Sequence, residues 1–499
     1  MTNADDDYEI RIAMSSDMRS TQPGVKRDSY TDDVILHIVE PLVTHRGDLS
    51  IAPMAAETIT ISEDLTQFSF SLREGLTYHN GEPVDAAHAV ATWNKMLDPA
   101  TGFQCLNFYN GQVGATVISV TAPDKLTLTI KLDRPSAVFL EKLAYFQCPI
   151  PLLHPDSWDA DGNWIKPIST GPYMLKEWRK GQYVILERYD GYKPRNDAPS
   201  GLSGRKIAHA KYLKFITIAD QMAAKAALNA GQIDVLSSLS PITALDMRKS
   251  KRVKTLDSPG LARGTILMQT ADPLLSDRRI RLAIAHAIDL KTFAKVATLG
   301  LAEPNPSTMP PSDFNYTSKH AQPYEYDLDK SKALLAEAGY TGEPIVILTT
   351  RVDQAFFDTA MIAETMLKKA GINIQVKVIE MASLLGAYFD GNYQLMAFEY
   401  SPRMTAFMNY NTLLGDKKRN PNRWQDAEAQ ALMDKVAKTA DPAERKKLFE
   451  AIHNRMMLEA PVVNIYNVPI IEAVTHRVIG HKPWVGSKLR MWNVQLKGH

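Results

Sequence analysis

Residues 183–186 form a short apolar strand signal, and apolar and polar residues alternate in Phe68-Ser69-Phe70-Ser71-Leu72 and across residues 126–132. This is the period-two signature of strands with one buried face. The first 200 residues therefore read as strand-rich. Farther along, the spacing lengthens to that of helices. Asp327 precedes an amphipathic run at 330–338 that Gly339 closes, so an acceptor caps the start and a left-handed-tolerant residue ends it. Asp441-Pro442-Ala443-Glu444 places a cap, a first-turn proline and an acid ahead of Leu448, Ile452 and Met456. Between them, residues 345–348, 374–379 and 394–398 predict strands, with helices over 356–370 and 383–389. Such alternation implies parallel pairing through right-handed crossovers.

In open α/β sheets, ligands sit beyond the carboxyl ends of the strands. Three loops follow predicted strand ends: Ser15-Ser16-Asp17-Met18-Arg19, Thr349-Thr350-Arg351 and Glu399-Tyr400-Ser401-Pro402-Arg403. These are the candidate ligand loops.

Composition narrows the class. At 499 residues the chain exceeds one ordinary core, and roughly 100–200 residues per domain gives two to four domains or lobes. Lys and Arg total 57 against 56 acids, so no basic field invites nucleic acid. No apolar run approaches the ~18 residues that span a bilayer, which argues against stable membrane insertion. The start, Met-Thr-Asn-Ala-Asp-Asp-Asp-Tyr, has neither a charged leader region nor an apolar one. It suits either a cytoplasmic protein or a mature exported product.

The chain has no H-E-x-x-H, G-x-S-x-G, phosphate-binding or dinucleotide-binding glycine motif, and its 12 histidines are scattered. His79 and His88 fit no metal-ligand spacing, so neither a metal nor a cofactor is expected. Cys105 and Cys148 are the two cysteines, either two buried thiols or one bridge; a strand between them would return the chain, and an exported location favours the disulfide. Thr170-Gly171-Pro172 alone reads as a turn.

Taken in order, several segments resemble the peptide, opine and nickel-binding family of ABC importer solute-binding proteins. Glu40-Pro41-Leu42-Val43 is similar to an early family segment. Residues 70–84, reading Phe-Ser-Leu-Arg-Glu-Gly-Leu-Thr-Tyr-His-Asn-Gly-Glu-Pro-Val, resemble its F-x-L-R-x-G stretch. Ser169-Thr170-Gly171-Pro172-Tyr173 resembles its G-T-G-P-Y, residues 281–289 its R-x-A-I-x-x-A-I-D, and residues 326–340 its Y-D-P to E-A-G-Y helix.

The resemblance implies an α/β fold, a two-lobed periplasmic binding protein of class II type with an additional α/β domain and a ligand cleft between lobes. It places the first lobe at 1–30, 165–265 and 472–499, the extra domain at 31–164 and the second lobe at 266–471. It further implies a monomer outside the cytoplasm that traps a small-molecule ligand by hinge closure and hands it to an ABC importer membrane permease.

In peptide-binding relatives an acid in the loop after the second lobe's third strand meets the peptide amine. Here no carboxylate follows Glu399, and Arg403 offers a planar fork of donors for a carboxylate or phosphate. The expected ligand is thus anionic or zwitterionic, an opine or a sugar or amino acid conjugate. The expected ligand set is Asp17, Met18, Arg19, Tyr109, Gln269, Arg351, Glu399, Tyr400, Ser401, Arg403, Asn409, Asn411 and Tyr466. Two alternatives stand beside it: a di- or oligopeptide receptor in which Glu399 or Asp17 takes the amine, and a hydrolase or isomerase using Asp17, Glu399 and a histidine.

Overall fold

A computed structural model describes residues 8–414 and 423–498. The opening residues on which the reading of a leader rests lie outside that range. The chain folds as two compact units, Met1–Ser258 with Ile470–His499, and Pro259–Pro469.

The first unit carries a seven-stranded mixed sheet, in the order Val253–Ser258, Ile470–Thr475, Val235–Leu236, Glu9–Met14, Tyr212–Thr217, Tyr183–Arg188, Tyr173–Arg179. A four-stranded antiparallel sheet lies within the expected extra domain, where Gln67–Leu72 and Thr127–Leu132 occupy the centre. Their alternation works as predicted: Phe68, Phe70, Leu128 and Ile130 are buried while the residues between them are not. Helix Ala86–Leu97, capped by the Asp85 carboxylate on Ala87 N (2.8 Å), turns Ala89, Trp93 and Met96 inward. A side chain the size of Trp93, fully buried, contributes about 2–3 kcal/mol. The Cys105–Cys148 disulfide forms within this unit, with a Cα–Cα distance of 6.0 Å.

The family-like motifs are framework. Glu40 is fully buried; its carboxylate takes Arg73 Nη2 at 3.1 Å, the Tyr192 hydroxyl at 2.7 Å and Lys206 Nζ at 3.5 Å. The early glutamate and the F-x-L-R arginine are thus one buried ion pair. His79 Nδ1 accepts from Ser169 N and its Nε2 donates to Gly171 O (3.0 Å), joining two more motifs. Arg281 donates to the carbonyls of Leu275, Ser276 and Glu459 and to the Glu459 carboxylate. Asp289 and Asp327 cap the helices Leu290–Ala297 and Leu328–Ala338.

The second unit is built on a five-stranded sheet, in the order Ile374–Val378, Ile345–Thr349, Leu395–Tyr400, Arg263–Met268, Val462–Asn467. The first three strands are parallel, as the alternation implied, and the last two complete it by antiparallel pairing. Two sequence expectations shift here. Strand Arg263–Met268 pairs only within this sheet, so the second unit starts before residue 266. The third strand also runs two residues past its expected end, because Glu399 and Tyr400 pair with Gly264 and Arg263.

Candidate functional site

The strand directions bring one edge of the second sheet into focus. Ile345–Thr349, Ile374–Val378, Leu395–Tyr400 and Val462–Asn467 all end there, and Arg263–Met268 begins there. Two rows cross this edge in register, Glu399–Gly264–Tyr466 and Tyr400–Arg263–Asn467. Successive strand residues point to opposite faces, so the rows present different chemistry.

In the first row Gly264 makes room for an aromatic ring. A Cβ there would lie 2.7 Å from Tyr466 Cζ. Burial pushes the Tyr466 hydroxyl well above its ordinary range, with the Glu399 charge adding to the effect. Glu399 is half-buried and has no hydrogen-bond or ion-pair partner among the described residues. Burial first, then the neighbouring Asp353 charge, raises its carboxyl to about 7.

The second row leads to a buried polar cluster. Tyr400 is buried, with its hydroxyl 3.4 Å from that of Tyr388, and the Arg263 guanidinium lies 4.8 Å from the Tyr400 ring centroid. Asn409 is also buried: its Oδ1 accepts from Arg263 Nη1 (2.9 Å), and its Nδ2 donates to the carbonyls of Thr405 (3.0 Å) and Arg403 (3.3 Å). Above it, Arg403 is half-buried and, among the described residues, donates only to the carbonyls of Ser401 (3.3 Å) and Pro402 (3.1 Å) of its own loop. Ser401 and Asn411 are exposed, as is Arg351, whose guanidinium stacks 3.9 Å from the Phe357 centroid.

The structure thus brings Glu399, Tyr400, Ser401, Arg403, Asn409 and Tyr466 to one sheet edge and its following loop, and sends other expected residues elsewhere. Gln269 follows the carboxyl end of Arg263–Met268, which runs against its neighbours. It therefore sits at the opposite edge, bonded to Gly391 O (3.1 Å) beside an open depression of 530 Å³. Tyr109 is a core residue of the first unit, packed against Trp93 and Phe139 and donating to Lys142 O. Met18 is buried in the core of the first unit's main sheet. Asp17 is committed to Trp178 Nε1 (3.0 Å) and Gly181 N (2.8 Å), and Arg19 is exposed.

Sequence reasoning missed Arg263. Its signal was an arginine opening the otherwise uncharged strand Arg-Gly-Thr-Ile-Leu-Met. In the first unit, Glu82, His154 and Asp156 lie close enough to suggest a metal centre. However, His154 Nδ1 accepts from Asp156 N and Nε2 pairs with Glu82, so neither ring nitrogen has a lone pair left for an ion.

An α/β fold of two units, with an acid and a guanidinium brought to one sheet edge, is that of the solute-binding proteins. Residues 50–422 match the bacterial extracellular solute-binding proteins, family 5, and the chain belongs to that family of ABC importer components. The glutathione-binding protein GsiB of Escherichia coli O1:K1 is 24% identical over 493 residues, covering 95% of this chain and 91% of that one. Among solved structures, HbpA2 from Haemophilus parasuis aligns with a TM-score of 0.86 at 22% identity over 98% of this chain and all of that one. AgaA of A. tumefaciens R10, bound to agropinic acid, aligns at 0.73 with 24% identity over 98% and 99%. Among the described residues, no helix is long and apolar enough to cross a membrane.

Proposed function

We propose that this chain captures a small zwitterionic or anionic solute, an opine or other amino acid conjugate, outside the cytoplasm and presents it to an ABC importer permease. The observation that carries the reading is the placement of Glu399 and Arg403 on one strand end and its loop, each without an oppositely charged partner among the described residues. A solute amine suits the Glu399 carboxylate, and a solute carboxylate suits the Arg403 fork. A relative named as glutathione-binding and a neighbour solved in complex with agropinic acid support a small solute that carries a carboxylate. No catalytic step is assigned to Asp17, because its carboxylate is held by Trp178 and Gly181.

A peptide ligand is the second reading, favoured by one observation: Glu399 is an unpartnered acid at the end of the third strand. Calorimetry with glutathione, an opine and an unrelated tripeptide separates the two. Arg403→Ala is expected to weaken opine or glutathione binding about 30-fold, the scale of a lost charge-assisted pair. Unchanged affinity in that variant removes Arg403 from the site. Equal binding of unrelated peptides moves the assignment to a peptide receptor.

A further inference from the structure

Arg263 is the most deeply buried arginine at the sheet edge, 1% exposed. Its Nη1 donates to Thr308 O and to Asn409 Oδ1. Nε and Nη2 have no hydrogen-bond partner, and no carboxylate of the described residues forms an ion pair with it. Asp313, a buried acid near Tyr410, accepts from Asn315 N and Nδ2 through Oδ1. The other groups facing it are the phenols of Tyr400, Tyr410 and Tyr388 and the like charge of Arg403. Burial lowers the guanidinium to about 10, still charged at neutral pH. A buried cation without a counter-ion is strongly unfavourable, so the protein has reason to supply an anion. The geometry also says which kind: Nε and Nη2 form the side of a guanidinium that holds two oxygens of one carboxylate in parallel.

We propose that the Nε–Nη2 edge of Arg263 is an oxyanion site beneath the loop 401–405, taking a carboxylate or an inorganic anion of similar shape. Asn409 couples it to the loop above, since one amide holds both Arg263 Nη1 and the Arg403 carbonyl. The anion has two sources, a second carboxylate of the bound solute or a free ion resident in the unit. Only the first rests on the function proposed above.

Thermal unfolding of the full chain in acetate and in sulfate, at constant ionic strength, tests the site against Arg263→Met. The wild-type melting temperature is expected to rise saturably, by about 4 °C at a hundred times the half-saturating acetate concentration, with no such rise in the variant. Equal responses in both proteins, or none in the wild type, overturn the proposal. Should Arg263→Met fail to fold, two measurements stand in for it. Arg263→Lys keeps the charge but loses the fork and should halve the response or more. Line broadening of carbon-13 acetate by the wild type, reversed by sulfate, reads occupancy directly, and its absence overturns the site. Repeating the acetate titration with saturating glutathione identifies the source: a vanished response means that the solute's own carboxylate fills the site, and an undiminished one means a resident ion. If glutathione does not bind, the solute reading fails for that probe while the acetate arm still decides Arg263.

Discussion

The Glu399 carboxyl carries its own test at the scale of a single residue. Its folded value, about 7, lies above the ordinary glutamate value of 4.5 that it regains on unfolding. Between those limits the folded chain holds a proton that the unfolded chain releases, so stability falls as pH rises from 4.5 to 7. Glu399→Gln is expected to be more stable than wild type by about 2 kcal/mol at pH 8 and to match it near pH 4, as measured by chemical denaturation of both proteins. A constant gap across that range would mean that the carboxyl titrates normally. The same group makes affinity for an amine fall below pH 7, and the Gln variant should lose that dependence. Tyr466 depends on an absence next door: Gly264→Leu puts atoms where the tyrosine ring lies and should weaken solute binding while Gly264→Ser does so less. Calorimetry of both variants checks the order.

Elements explain what the motifs mean, and Gly171 shows it most sharply. A Cβ at Gly171 would stand 2.4 Å from the carbonyl oxygen of Ile38, at the end of helix Ser29–Ile38, and backbone cannot step aside. Gly171→Ala is therefore expected to destabilise the chain by about 3 kcal/mol, visible as a lowered denaturation midpoint with an unchanged slope. The Cys105–Cys148 bridge closes a 43-residue separation, tying the turn Leu106–Phe108 to the chain just after helix Phe139–Leu143. Replacing both cysteines by alanine should cost about 3 kcal/mol, and dithiothreitol should lower the melting temperature of the wild type but not of the double variant. The strands and capped helices were legible because alternation and caps are local. The edge position of Arg403 was legible because it follows a strand end. Arg263 and Gln269 were not, since their places depend on which way strand Arg263–Met268 runs against its neighbours, and antiparallel insertion into a parallel set leaves no local trace. Tyr109 was not legible for a different reason: nothing in its own sequence distinguishes an aromatic facing a cleft from one packed against Trp93.

For the whole molecule, the family frame and the solute edge make different demands on charge, and acid should reveal both. Burial holds five histidines neutral: His37 at about 3, and His45, His79, His320 and His453 at about 4. Their values are depressed, so between pH 6.5 and 4 the unfolded chain takes up protons that the folded chain refuses, and stability falls as pH falls. Three carboxyls act in the opposite sense over nearly the same range. Burial raises Asp32 and Asp33 to about 6 despite Arg27 and Lys488 beside them, and Glu399 to about 7. Five histidines set against three carboxyls leave a net uptake of about two protons on unfolding near pH 5, about one from each unit. Measured unfolding free energy should therefore fall as pH falls through that range, and Glu399→Gln should steepen that slope by removing one opposing group. A flat profile between pH 4 and 6.5 would show that the buried histidines open to water before the units unfold. If solute binds at the proposed edge, it should alter the profile only through the second unit, because that edge and Glu399 both belong to Pro259–Pro469 while His37, His45, Asp32 and Asp33 belong to the other unit. A solute that shifted the first unit's acid transition by as much would place part of the binding surface there, in the loop after strand Glu9–Met14 where Asp17 and Arg19 lie.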